Sequence, residues 1–220
     1  VNLPTGGGNL ITTTGATFTG NIATAGISSV TAGTSNFVAG DTAGDSIVSG
    51  GNNNTLVGTN AGTAVTTGAN NTALGYLAAR ANTTGSQNVA IGAGGNLGAN
   101  TIGANNTAVG YASLAANTTA TNNTAVGYSA LTANTTGGDN SALGDSALLA
   151  NTTGSQNLAV GRMALKSNTT ASHNTAIGNY SLFYNTTGGS NTAVGRSALE
   201  VNTTGNGNSC VGYNAGDSIT

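Results

Sequence analysis

A short motif, Asn-Thr-Ala-Val-Gly, returns along this chain at a nearly fixed interval, and that interval limits the folds open to it. Taking the glycine of each Val/Ile/Leu-Gly pair as a marker, the motif falls at Gly58, Gly75, Gly92, Gly110, Gly127, Gly144, Gly161, Gly178, Gly195 and Gly212. Successive markers lie 17 residues apart, except for a step of 18 from Gly92 to Gly110. Near-identical units at so short a period describe a repeat architecture, in which each unit buries its apolar side only against its neighbours.

The columns of the repeat stand in for an alignment. Asn occupies the position four before every marker, from Asn54 to Asn208. Three before is mostly Thr or Ser, with Val89 and Leu158 as variants, and one before is always Val, Ile or Leu. That period of two is a strand signature, so each unit should hold one short Thr-Ala-Val strand, begun by Asn and ended by Gly. The apolar residue before the marker (Val109, Val126, Leu143, Val160, Ile177, Val194) is assigned to the coil interior. A leucine four past the marker (Leu114, Leu131, Leu148, Leu165, Leu182, Leu199) is assigned there too.

The middle strand residue then belongs to the opposite face. It is Ala108, Ala125, Ala142, Ala159, Ala176 and Ala193 in successive units. A wet face would not hold alanine so steadily, so this column is expected to be a subunit interface, packed against another copy of the chain. Charges keep to other columns: Arg80, Asp145, Arg162, Lys166, Arg196, Glu200 and Asp217 stand one or five residues past a marker, and only Asp139 after position 50 does not. Those two columns should face water. Tyr76, Tyr111, Tyr128 and Tyr213 share the first of them. Either they lie flat over the next coil or they form a stripe that binds glycans or partner surfaces.

A helix over 128–133 suits the Ser-Ala-Leu spacing, but it would be shorter than ten residues and closed on both sides by turn residues, so stacked strands are favoured. The turn reads Asn-Thr-Thr-Gly in most units, with Asn and Gly expected to supply left-handed corners. Stacked in register, the asparagine columns should form amide ladders. At about 4.8 Å per strand layer, the repeats make a rod roughly 50 Å long.

Composition agrees with a narrow core. Charged residues are 5% of the chain and aromatics 4%, against 36 glycines among 220 residues. This inventory fills a solenoid one or two side chains thick, not a broad globular core. A net charge of −2 gives no footprint for nucleic acid. No apolar run reaches the length that spans a bilayer, and no signal-peptide pattern stands at Val1, as would also hold for a processed chain. Cys210 is the lone cysteine and sits in the alanine column as a small buried residue. Residues 1–50 carry the only proline, Pro4, and read as a joining or strand segment in which Asn36–Gly40 is a degenerate first repeat; residues 51–220 are the solenoid.

Catalysis needs a convergent set of titratable groups, and the chain offers almost none. His173 is the sole histidine, in a variable turn. Asp41 and Asp45 are too few for a calcium loop, and Asp145 and Glu200 lie in different columns three coils apart. No cofactor is expected. The Asn-X-Thr sequons at Asn117, Asn134, Asn151, Asn168, Asn185 and Asn202 arise from the repeat itself.

The units Asn88–Gly92 and Asn157–Gly161 resemble the Asn-Ser-Val-Ala-Ile-Gly repeats of trimeric autotransporter adhesin heads. The longer unit beginning at Asn123, Asn-Thr-Ala-Val-Gly-Tyr-Ser-Ala-Leu, resembles repeats of phage tail-fibre shafts. The resemblance covers residues 50–220 and implies a left-handed β-roll, usually trimeric, on an extracellular fibre that attaches to surfaces. The expectation is therefore an all-β solenoid of about ten 17-residue repeats. Its role would be that of a non-enzymatic structural subunit of an extracellular fibre, giving a rigid rod and surface attachment. Its expected partners are other copies of itself and surface glycans, with neither nucleic acid nor membrane. Two alternatives stand beside it: a glycan-binding adhesin head, and an ice-binding solenoid built on the Thr-Thr pairs.

Overall fold

The computed structural model describes residues 33–219; the sequence reading of the stretch before residue 33 lies outside them. Eleven three-residue strands follow one another: β1 (Phe37–Ala39), β2 (Thr55–Val57), β3 (Thr72–Leu74), β4 (Val89–Ile91), β5 (Thr107–Val109), β6 (Thr124–Val126), β7 (Ser141–Leu143), β8 (Leu158–Val160), β9 (Thr175–Ile177), β10 (Thr192–Val194) and β11 (Ser209–Val211). They form a single parallel sheet in chain order. Equivalent residues pair throughout, as Ala108 with Ala125 and Ala125 with Ala142. This is a parallel β-solenoid, one coil per repeat. Asn36–Gly40 opens the first described coil, since β1 pairs in register with β2. No helix occurs among the described residues.

The leucine column fills the lumen: Leu114, Leu131, Leu148, Leu165, Leu182 and Leu199 are fully buried. The two strand columns are reversed from the sequence expectation. Ala108, Ala125, Ala142, Ala159, Ala176 and Ala193 are buried inside their own chain and join the leucines in one core. They are therefore not a subunit interface. Val109, Val126, Leu143, Val160, Ile177 and Val194 point outward and are half-buried to exposed, Leu143 being 52% exposed.

The physical reason is the width of the coil. The two walls of a 17-residue turn approach so closely that the strand and the facing segment share one layer of side chains. The sequence records the sharing. Where the inward strand residue is Ala, the facing residue is Leu in seven of eight coils: four past the marker in six, from Ala108 with Leu114 to Ala193 with Leu199, and five past it at Ala90 with Leu97, in the coil of 18 residues; Ala73 faces Ala79 instead. Where it is larger, its partner is glycine: Val38 with Gly44, Leu56 with Gly62, Cys210 with Gly216. A Cβ on Gly62 would come within 2.8 Å of Leu56 Cδ2, and one on Gly216 within 2.6 Å of Cys210 Sγ. No coil places a large residue on both walls, as close packing in so narrow a lumen requires.

Both asparagine columns form ladders. The amide N–H of Asn123 donates to Asn106 Oδ1 at 3.0 Å, and its Nδ2 donates to the Gly137 carbonyl at 2.9 Å. In the turn column, Asn134 Nδ2 donates to Asn117 Oδ1 at 3.2 Å and to the same Gly137 carbonyl at 2.9 Å. These buried amides satisfy one another and the turn backbone, so polar groups line a dry interior without penalty. The ladder asparagines do not supply the left-handed corners. Those fall at Asn122 (φ 61), Ser129 (φ 53) and Leu131 (φ 51) in the sixth coil, with equivalents in the others. A leucine in that region is strained, and its complete burial offsets the strain. At the marker, Gly127 (φ 143) is required twice, because a Cβ there would also run into the Gly144 carbonyl.

Candidate interaction surfaces

With alanine and leucine inside, the columns that flank the inward alanine form the outer face of the sheet. It presents Thr, Ser, Val and Leu three before the marker and Val, Ile or Leu one before it, with Phe37 and Ala39 at the equivalent places of β1. Neither column carries a charged residue in any of the eleven strands. Leu74, Leu143, Ile177 and Val211 are its most exposed aliphatic groups. Eleven strands at about 4.8 Å spacing give this stripe a length near 50 Å. A charge-free stripe of that length, a mostly Thr/Ser column beside an aliphatic one, is a candidate contact surface.

The columns one and five past the marker behave as the charge distribution requires. Arg80, Asp145, Arg162, Arg196 and Asp217 are exposed, and Lys166 and Glu200 half-buried. Tyr111 and Tyr128 stack in parallel, with centroids 5.3 Å apart and planes 9° from coplanar. The Tyr111 ring also lies over Gly94 of the preceding coil, where an added Cβ would meet its Cε2 at 2.6 Å. Tyr76, Tyr111, Tyr128 and Tyr213 nevertheless keep at least half their surface in water. The flat-lying and the exposed readings of this stripe thus describe the same rings.

A second aromatic group was not singled out by the repeat columns, because Tyr180, Phe183 and Tyr184 replace different residues of the unit. Tyr180 meets Phe183 at 5.5 Å between centroids, and Phe183 meets Tyr184 edge-on at 4.6 Å. Three cations sit against these coils. The Arg162 guanidinium lies 5.6 Å from the Tyr180 centroid, Lys166 Nζ 5.3 Å from that of Phe183, and the Arg196 guanidinium 5.6 Å from that of Tyr213. Arg162 also donates to the Tyr180 hydroxyl at 2.6 Å and faces Asp145 at 3.6 Å.

The chemical candidates stay apart. His173 is exposed in its turn at φ 63. Asp41 and Asp45 are exposed, and no group of three metal-ligating side chains occurs among the described residues. Cys210 is a half-buried thiol packed on the end of the core. No helix among the described residues is long and apolar enough to cross a membrane. The sequon asparagines Asn117, Asn134, Asn151, Asn168, Asn185 and Asn202 are fully buried with Nδ2 donating within the ladder, so the folded coil presents no free amide for a glycan.

Comparison with known proteins finds no family model, no curated protein and no solved structure that matches this chain. What is established is the class of fold, a parallel β-solenoid of 17-residue coils laced by asparagine ladders.

Proposed function

We propose that this chain is a non-enzymatic structural subunit of an extracellular fibre, a stiff spacer that self-associates and carries a contact surface. The observation that carries the reading is the uncharged outer face of the sheet, unbroken over eleven strands in register. Burying it against copies of the same chain removes aliphatic surface from water without stranding a charge. Among the described residues, β1 and β11 each keep one edge without a neighbour in the sheet, and an edge of that kind favours end-to-end joining. A trimer is the assembly that the adhesin-like repeats imply. With a net charge of −2, nothing in the composition favours nucleic acid as a partner.

Light scattering and negative-stain micrographs of the purified chain test this. Rods with a mass of whole-number copies, which Leu143→Asp and Val126→Asp together reduce to folded monomers, are the expected result. A chain that stays monomeric at high concentration contradicts it.

Ice binding remains the second reading, for a reason other than the Thr-Thr turns. Thr107, Thr124, Thr175 and Thr192 project from the outer face in register. Val89 and Leu158 interrupt that column, which places the reading second. Thermal hysteresis in the purified chain would promote it.

A further inference from the structure

The chain has four cations in all, and three of them, Arg162, Lys166 and Arg196, fall within three consecutive coils. The same coils and the next hold Tyr180, Phe183, Tyr184 and Tyr213. A random scatter of solubilising charge would not place each cation within about 6 Å of an aromatic ring, yet all three are so placed. We propose that this basic–aromatic patch is a binding site for an acidic polysaccharide whose carboxylates are separated by neutral sugars. It names the ligand class for the attachment part of the fibre reading and rests on that reading only for its biological purpose.

Three features of the patch select this ligand. First, the ring contacts hold the cations. A guanidinium resting on a ring keeps most of its N–H donors at its rim, where a carboxylate engages it in bidentate fashion. Second, Tyr184 and Tyr213 remain half or more exposed, leaving ring surface for the C–H faces of sugars. Third, the spacing is that of a polymer. Arg162 and Arg196 occupy the same column two coils apart, with Asn179 between them. At about 4.8 Å per coil, their backbones are separated by roughly 10 Å along the rod. An anionic group on alternate sugars of a chain lying along the rod meets a cation at alternate coils.

The acidic neighbours argue against a more densely charged partner. Asp145 already faces Arg162 at 3.6 Å. Glu200 shares the column of Lys166, with Phe183 between them, and Asp217 follows it. A polymer with a phosphate at every unit would meet these carboxylates as often as the cations. A sparsely charged glycan places hydroxyl groups there instead, which carboxylates accept as hydrogen-bond donors.

The test uses the full chain, in whatever assembly it forms, and hyaluronan as the probe, with neutral dextran and dextran sulfate beside it. Isothermal titration at low salt should show hyaluronan binding that weakens as sodium chloride is raised. Arg162→Gln, Lys166→Gln and Arg196→Gln combined should weaken it at least tenfold, with melting temperature and assembly mass unchanged. Tyr184→Ala with Tyr213→Ala should weaken it several-fold at constant charge, and Arg80→Gln, on a distant coil, should leave it unaltered. The proposal is overturned by any of four outcomes: no hyaluronan binding, equal binding of neutral dextran, dextran sulfate bound in preference to hyaluronan, or binding that survives the triple substitution. Mass and micrographs report separately on the fibre reading, so loss of one result leaves the other interpretable.

Discussion

The outermost described coils of the solenoid and those between them fill the same lumen by opposite means. In the middle the strand contributes alanine and the facing segment leucine, as Ala125 and Leu131, both fully buried. At the N-terminal end the large residue is on the strand, as Leu56, and the facing position is Gly62. The last coil does the same with Cys210 and Gly216. The turn column changes with position too. Buried Asn runs from Asn82 to Asn202, while Ile47, Val65 and Ile219 hold the equivalent place at the ends. The facing positions therefore constrain each other: either wall can carry the large residue, but never both in one coil. The turn ladder is thus confined to the interior coils, whereas the strand-start ladder runs from Asn36 to Asn208.

Substitutions on the two walls and the outer face should differ widely in cost. Ala125→Glu places a carboxylate in the dry lumen with no partner. The desolvation cost of several kcal/mol is of the order of a domain's whole stability, so the chain should fail to fold as judged by circular dichroism. Were the alanine column a subunit interface instead, the same change would leave a folded monomer. Leu131→Ala should cost about 2–5 kcal/mol in a melting or denaturant experiment. Leu143→Ala on the outer face should cost less than half as much when measured on the dispersed monomer. Asn134→Ala removes the acceptor for Asn151 Nδ2 and a donor to Gly137, a loss of about 1–3 kcal/mol for a buried polar group left without its partner. The smallest effect belongs to Val126→Thr on the half-buried outer face, within about 0.5 kcal/mol of the parent.

Much of the fold is legible in the sequence because the repeat supplies ten readings of each column. The period, the strand of Thr124–Val126, the outward charges at Arg162 and Glu200 and the paired ladders at Asn123 and Asn134 all follow from column composition. The facing of the strand does not follow from hydrophobicity, since both of its sides are apolar. Val126 is the more hydrophobic residue, yet it points out, because the lumen opposite Leu131 has room only for a methyl group. The signal that settles the facing is the exchange of Leu56 and Gly62 for Ala125 and Leu131. It is a correlation between columns, not a property of either one. The left-handed backbone at Leu131 was not legible, because tertiary burial there overrides the local preference of leucine. The patch at Arg162, Tyr180 and Phe183 was only half visible, since its rings depart from the repeat: Tyr180 stands where other coils hold residues as different as Ser129 and Met163, and Phe183 where they hold Lys166 and Glu200.

The most direct test of the facing-pair account is a double-mutant cycle on the second coil, converting its pair to the interior type. Leu56→Ala alone empties the lumen, and Gly62→Leu alone drives a side chain into Leu56, whose Cδ atoms lie within 2.9 Å of an added Cβ. The φ of 57° at Gly62 is close to that which Leu131 already adopts, so the backbone accepts the exchange. Chemical denaturation of the parent, both single variants and the double variant should show the double variant more stable than either single one, with a favourable coupling of about 0.5–3 kcal/mol. Losses that simply add in the double variant would mean that the two columns do not share the lumen, and would contradict the account.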